Sequence, residues 1–277
     1  MINNSSIQIS VIVPTYQPGD YLWECLVSLS EQSFPHENYE VVLVLNGCCE
    51  PWKSQIEQFI SDRISGINVN FVQTDVGGVS NARNIGIDIS KGDYITFLDD
   101  DDYVSDSYLQ RLYEKSSLNT VVLSNAIAFN DGSKEERVKY QLTDVYKKIA
   151  YKKHLSLSSK VRKYFNGPVM KLFPMTIIRD RRFDTRFKNG EDSLYMFLIS
   201  DAISNIAFAS SDAIYYRRYR PNSAITRKRT RRERIINTLK GIHQYCRIYN
   251  VCHYNFLFFL SRVLAEIKFL IKTILLG

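Results

Sequence analysis

Cysteine is scarce in this chain, and glycine-rich phosphate loops and long apolar runs are missing from it. The five cysteines, Cys25, Cys48, Cys49, Cys246 and Cys252, are odd in number and contain no C-x-x-C pair. That excludes a disulfide framework and a structural zinc site, and a reducing cytoplasm suits the chain best. No apolar run approaches the ~18 residues needed to cross a bilayer. The residues up to Ser6 are polar, without the basic flank and apolar core of a signal peptide. The first strand-like segment is not followed by G-x-G-x-x-G, and G-K-[ST] occurs nowhere, so dinucleotide and Walker-type phosphate sites are excluded. His36, His154, His243 and His253 are scattered without partners at metal-ligand spacing and are expected to be surface or structural residues. Internal repeats and low-complexity linkers are also missing.

What is present is ordinary in bulk and uneven in detail. Hydrophobic residues make up 45% and charged residues 23% of the 277, enough for a large α/β core. The formal net charge of +7 is concentrated in residues 134–164 and 217–234, the second holding nine Arg or Lys against the single acid Glu233. Such patches attract nucleic acid, anionic lipid or phosphorylated small molecules, or simply face solvent. The 18 tyrosines dominate the aromatic content and suit either carbohydrate surfaces or core packing.

Along the first 130 residues short apolar runs alternate with helical patterns. Ile9–Val13, Val41–Leu45, Ile67–Val72 and Tyr94–Leu98 read as buried strands. Helices are expected between them, one placing Leu22, Cys25, Leu26 and Leu29 on a face, a second Ile56, Phe59, Ile60 and Ile64, a third Val79, Ala82, Ile85 and Ile89. Strands separated by helices imply βαβ units and a mostly parallel sheet covered on both faces. Residues 134–164 read as a polar loop with a short helix, and Gly167–Ser200 as a loop entering a helix near Glu191. Ile206–Phe208 and Ala213–Arg217 read as further strands, and 231–277 as helix throughout.

Parallel sheets bind ligands at the carboxyl ends of their strands, where strand order reverses. The residues that follow the four runs, Pro14-Thr15-Tyr16, Asn46-Gly47, Thr74-Asp75 and Asp99–Asp102, should therefore share one edge. Four adjacent carboxylates repel one another, and a hard divalent cation with oxygen ligands offsets that cost. Alternation at a strand end would point Asp99 and Asp101 to one side. A simple helix cap, with Asp102 opening a helix near Val104–Ser105, would account for one aspartate but not four. The alternating acids, central glycine and distal glutamate of a helix–loop–helix calcium site are absent.

Four blocks, in order, resemble the family 2 glycosyltransferases: Val11-Ile12-Val13-Pro14-Thr15-Tyr16, Gly78–Gly86 (GVSNARNIG), Gly92–Asp102 (GDYITFLDDDD) and Gly190-Glu191-Asp192. The resemblance runs from about Ile7 to Thr226. It implies a GT-A fold, Rossmann-like, with a mostly parallel sheet flanked by helices and a C-terminal helical extension. Residues 1–226 would be the catalytic domain, with 1–130 its nucleotide-sugar-binding half and 131–226 its acceptor-side half; 227–277 would be a basic amphipathic tail.

The resemblance also implies roles, position by position. Asp99-Asp100-Asp101 is similar to the family's D-x-D, with Asp101 and Asp99 the ligands of Mg²⁺ or Mn²⁺ and Asp99 or Asp100 near the donor. Arg83 matches an arginine beside the donor's nucleotide and phosphates, and Pro14, Thr15 and Tyr16 match a loop framing base and ribose. Asp75 falls on the same edge. Asp192 matches the proposed catalytic base, with Glu191 second. One departure stands out: where the family usually has V-D-D-G-S, this chain has Val44-Leu45-Asn46-Gly47-Cys48. Asn46 keeps an acceptor oxygen and gains a donor, leaving a uridine donor only modestly favoured.

The reaction so implied is a single inverting displacement by an acceptor hydroxyl at the anomeric carbon of a nucleotide sugar. Arg83 or the Arg217/Arg218 pair would meet the leaving diphosphate. Lys171 is expected to be structural or on the acceptor side, Gly77-Gly78 a phosphate-approaching loop or a helix-start turn, and Tyr216 a core residue. The acceptor would be a glycan or lipid-linked molecule. Phe256–Leu276 sets apolar residues among Arg262, Lys268 and Lys272, a pattern suited to peripheral contact with the inner face of the plasma membrane or to packing against protein. No nucleic-acid-reading module is present. The competing expectation is a protein of the same fold that binds nucleotide or polyanion without catalysis.

Overall fold

The computed structural model describes residues 7–152, 155, 157, 161–220, 230–251 and 253–276. The chain opens with β1 (Ile9–Thr15), α1 (Tyr21–Ser30), β2 (Tyr39–Asn46), α2 (Trp52–Arg63), β3 (Asn68–Thr74), α3 (Val79–Ile89) and β4 (Tyr94–Phe97). Every residue of β1 and β2 is buried, which is why both read as unbroken apolar runs rather than alternating ones. β2 and β4 both pair with β1 in parallel register, and β3 extends the sheet beyond β2. Strand order therefore reverses beside β1, and the loops after β1, β2 and β4 open onto the crevice made there.

Beyond β4 come β5 (Tyr103–Val104), α4 (Tyr108–Tyr113), β6 (Thr120–Leu123), β7 (Asn125–Asn130), β8 (Ser133–Val138), α5 (Gln141–Ile149), β9 (Lys171–Pro174), α6 (Met175–Ile178), α7 (Glu191–Leu198), β10 (Asn205–Phe208), β11 (Ile214–Tyr219), α8 (Arg231–Tyr249) and α9 (Phe256–Leu276). The main sheet has the order β10-β6-β9-β4-β1-β2-β3, with β9 antiparallel to both neighbours. A second sheet, β5-β11-β7-β8, stands beside the site.

The mostly parallel sheet and the first seven elements agree with the sequence reading, and several details do not. In α3 the fully buried residues are Ser80, Ala82, Arg83, Gly86 and Ile87; of the apolar set only Ala82 is among them, while Ile85 and Ile89 are half-buried against the core and Val79 is exposed. Gly86 lets the helix approach Ile12 closely, and that rotation sends Arg83 inward. Only Ile56 of α2 is fully buried. The segment read as a polar loop with a short helix has that helix in α5 but also contains the strand β8. The strand β9 lies inside what read as loop, being only four residues long, with Gly167-Pro168 shortly before it and Pro174 as its last residue. No helix begins near Val104; β5 is there, and α4 starts at Tyr108. The helix expected over 231–277 is two helices, separated by the turn after Tyr249.

The α8–α9 hairpin is anchored from one side. Thr230 and Glu233 form a reciprocal capping box at the start of α8. From α9, Phe258 is buried, and Arg262 donates to Asn166 Oδ1 at 2.6 Å and to the Phe165 carbonyl. No helix among the described residues is long and apolar enough to cross a membrane.

At the far end of the sheet from the site, buried Glu40 accepts from Ser10 Oγ and the Lys91 amide, both at 2.7 Å, and Gly92 N donates to Ser10 Oγ. A Cβ on Gly92 would lie 2.5 Å from Ser10 N and 2.8 Å from Ile9 C, backbone that cannot yield. Gly92→Ala is expected to cost about 1–3 kcal/mol, read as a lowered denaturant midpoint at unchanged slope; an unaltered midpoint would contradict this packing.

Candidate active site

The four loop groups do converge. Thr15 Oγ1 donates to Asp100 Oδ2 at 2.5 Å, and Asn46 Nδ2 donates to the Thr15 carbonyl at 2.7 Å. Asn46 Oδ1 in turn accepts from Gly78 N at 2.8 Å. Both ends of the Asn46 amide are thus engaged within the protein, joining the ends of β1 and β2 to the turn before α3. Gly78, at φ 128°, is the residue that starts α3, so the Gly77-Gly78 pair is a helix-start turn here. Asp75 is exposed and accepts from Gln73 Nε2, whose amide also reaches the Cys48 carbonyl. Pro14 is held in β1, and Tyr16, 54% exposed, forms the open rim.

The aspartate run divides its labour. Asp102 is 2% exposed; its carboxylate accepts from Tyr215 OH at 2.6 Å and from the Arg218 amide at 2.7 Å. It ties β11 to the end of β4 instead of capping a helix. Asp100 is fixed by Thr15, and burial pushes its carboxyl up to about 7, the Thr15 hydroxyl opposing. Asp101 accepts from Arg220 through Nε at 2.8 Å and NH2 at 2.7 Å. One carboxylate oxygen from each of Asp99, Asp101 and Asp102 lies within 4.8 Å of the others. Burial and mutual repulsion raise the Asp101 and Asp102 carboxyls, although arginines oppose the rise. Among the described residues, Asp99 Oδ2 and Asp101 Oδ1 accept no hydrogen bond, so two hard oxygens stay available to a cation of the Mg²⁺ or Mn²⁺ kind.

Arg83 links this run to α7. Its side chain is buried, donating through NH2 to Asp99 Oδ1 at 2.9 Å and through NH1 to Asp192 Oδ1 at 2.5 Å. Its guanidinium also lies 5.5 Å from the Phe183 ring centre. Burial alone would lower Arg83, but Asp192 and Asp99 outweigh it and keep the group charged. Burial raises the Asp192 carboxyl, with Arg83 opposing. Asp192 and Glu191 occupy the first turn of α7, where the helix dipole favours acids. A cavity of about 320 Å³ is lined by Asp99 and Asp192 at one end, with Arg217, Tyr140, Lys163 and Lys171 around it.

Neighbouring residues of β11 face opposite ways. Arg217 lines that cavity, whereas Arg218 turns to Glu24 at 2.9 Å, Asp131 at 2.8 Å and the Asp101 carbonyl. The two were expected to act as a pair; only Arg217 enters the cavity. Tyr216, expected in the core, is half-buried and stacks on Tyr103 at 4.6 Å, while Tyr215 is the buried one. Sequence reasoning missed Arg220, which grips Asp101 and lies 4.0 Å over the Tyr21 ring. Its only signal was membership of the basic segment, of which residues 221–229 lie outside the described residues, as do His154 and Cys252.

Residues 10–182 match the family model described as glycosyl transferase family 2, and the chain belongs to that family. Its architecture is the GT-A one that the sequence motifs implied. The chain is 28% identical over 221 residues to the poly(ribitol-phosphate) β-N-acetylglucosaminyltransferase TarS of Staphylococcus aureus, covering 76% of this chain and 35% of TarS. It thus spans about a third of that relative's length. Its fold matches TarS 1–349 in complex with UDP-GlcNAc with a TM-score of 0.71 at 21% identity, over 97% of this chain and 72% of the other. A mannosyltransferase from Pyrobaculum calidifontis in complex with GDP-Man and Mn²⁺ matches with a TM-score of 0.63 at 14% identity, over 96% and 73% of the two chains.

Lys171 sits against the site and is 1% exposed, donating to the Gly167 carbonyl at 2.8 Å and the Val169 carbonyl at 2.7 Å. Burial pulls its ammonium down from 10.5 to about 7, Asp192 opposing. Between those values the unfolded chain keeps a proton that the folded protein has released, so this group's contribution to stability rises with pH. The stability of the wild type relative to Lys171→Met is therefore expected to improve as pH is raised above 7. A pH-independent difference in melting temperature would contradict this.

Proposed function

We propose that the chain is a metal-dependent, inverting glycosyltransferase that moves a sugar from a nucleotide sugar to a glycan or lipid-linked acceptor in cell-surface polysaccharide synthesis. The single observation that carries this reading is the Arg83 bridge, which holds Asp99 and Asp192 at the mouth of one cavity. Donor-binding and proton-accepting carboxylates are thereby brought to one place by a buried cation. Asp99 and Asp101 would hold Mg²⁺ or Mn²⁺, which when bound neutralises charge on a leaving diphosphate.

In this reading the protein's own groups do the following. Tyr16 and the loop of Pro14 and Thr15 frame base and ribose. Asn46, Thr15 and Asp100 fix the floor beneath them through the hydrogen bonds that join the strand ends. Arg83 keeps Asp99 and Asp192 apart and in register, and Arg217 faces the donor–acceptor junction. Asp192 accepts the proton of the acceptor hydroxyl, a general-base contribution typically of 10²–10⁴-fold; Glu191 is the adjacent acid. A single displacement from the Asp192 side inverts the anomeric centre. Uridine is the favoured base, in keeping with the UDP-GlcNAc bound by the structurally similar TarS.

Asp192→Asn is expected to keep metal-dependent thermal protection by UDP-sugars and to lose transfer by at least about 10²-fold. Asp101→Asn should lose the protection itself. Full turnover in the first variant removes Asp192 from the chemistry. A complete lack of donor hydrolysis by wild type with either metal would leave the non-catalytic binder of nucleotide or polyanion as the better reading.

Residues 1–226 would form the catalytic unit and 227–277 a tail touching the membrane from the cytoplasmic side. α9 buries Phe258, Arg262 and Thr273 on one side and exposes Leu257, Leu260, Leu264, Ile267, Ile271 and Ile274 on the other. Exposed Lys268 and Lys272 on α9, with Arg231 and Arg232 on α8, add the positive charge that anionic headgroups attract. Replacing Leu257, Leu264 and Ile271 by Ser should abolish cosedimentation with phosphatidylglycerol-containing vesicles at unchanged fold. Undiminished cosedimentation would free the tail of this role.

A further inference from the structure

The cavity beside Asp192 does not end at Lys163. A second, longer groove of about 730 Å³ runs along α5, and the two have Gln141 and Lys163 as a common wall. Along that path lie Arg217 and Lys163 near the site and Lys139 and Lys148 further out, and among the described residues Asp144 is the only acid lining it besides Asp99 and Asp192. Lys139, Lys148 and Lys163 form no ion pair with a described carboxylate, whereas Arg217 lies in the field of Asp102, Asp99 and the Tyr140 hydroxyl. Six arginines elsewhere, Arg111, Arg181, Arg182, Arg186, Arg218 and Arg220, each hold a carboxylate. Val145 and Ile149 give this groove an apolar floor beneath its charged sides.

A row of lysines in a concave track, ending at Arg217, is complementary to a chain that carries negative charge at intervals. A flat anionic membrane would not enter it. The track leads to Asp192, so whatever fills it must also present a hydroxyl there.

We infer that the acceptor is a polyanionic chain, laid along the Lys139–Lys148–Lys163–Arg217 track with its reactive hydroxyl at Asp192. This rests on the transferase reading and narrows it to a class of acceptor. The shared chemistry is a repeating anion, phosphodiester or carboxylate, spaced by hydroxyl-bearing units. Lys139 and Lys148, both exposed on the outer stretch, hold the part of the chain that has not yet reached the site.

The test measures binding by fluorescence anisotropy of the full chain with three labelled polymers of matched length: poly(ribitol phosphate), polygalacturonate and dextran. Binding of either polyanion, falling as salt rises because bound counterions are released, with dextran at least tenfold weaker, is the expected result. Binding of both polyanions identifies charge alone as the determinant, and binding of the phosphate polymer alone identifies the phosphodiester. The pair Lys139→Glu/Lys148→Glu should weaken polyanion binding at least tenfold and flatten its salt dependence, while Lys139→Arg/Lys148→Arg retains it. Equal binding of dextran, no binding of either polyanion, or unchanged binding by the Glu pair with an unaltered melting curve overturns the inference. Metal-dependent hydrolysis of a UDP-sugar by the unaltered protein, measured alongside, reports on the transferase reading separately.

Discussion

A buried guanidinium holding two carboxylates from distant parts of the chain is the constraint on which the site depends. Arg83 comes from the first buried turns of α3, Asp99 from the loop after β4 and Asp192 from the start of α7. Removing the cation would leave two acids facing each other across a half-dry cavity, and removing either acid would leave a buried charge with one partner. The side chains of both acids are about a third exposed, at 29% and 32%, so their negative charge is neutralised in part yet still offered to solvent and ligand. That balance suits groups that must bind or accept a cation or a proton.

Around this bridge the fold is arranged so that positions are set from outside the chemistry. Asn46 closes the ends of β1 and β2 onto α3, and Thr15 fixes Asp100. Asp102, with Tyr215 and the Arg218 amide, locks the second sheet against the acidic run. The alternation of β11 then gives Arg217 to the cavity and Arg218 to the opposite face. One strand therefore supplies both a residue of the site and its backing.

Much of this was legible in the residues. Buried parallel strands announce themselves as short apolar runs, and the rule that ligands gather at their carboxyl ends places Thr15, Asn46 and Asp99–Asp102 on one edge. The elements that escaped are those whose identity depends on partners. β9 and β5 are four and two residues long and exist because neighbouring strands complete their hydrogen bonds. The face of α3 is rotated from the expected one because apolar periodicity assumes a helix buries its aliphatic residues, whereas this one buries an arginine that two distant acids neutralise. Asp102 and Arg220 illustrate the same limit: four aspartates in a row look alike, and only the strand that crosses them decides which is structural.

The claim most open to a direct check is that Asp99 and Asp101 together grip a divalent ion that in turn meets a nucleoside diphosphate. Crystals grown with Mn²⁺ and UDP, measured at the manganese absorption edge, should show one anomalous peak between those carboxylates, with the diphosphate beside it and Arg220 displaced from Asp101. A peak elsewhere, or UDP bound in that crevice with no manganese signal at the acidic run, would contradict the account.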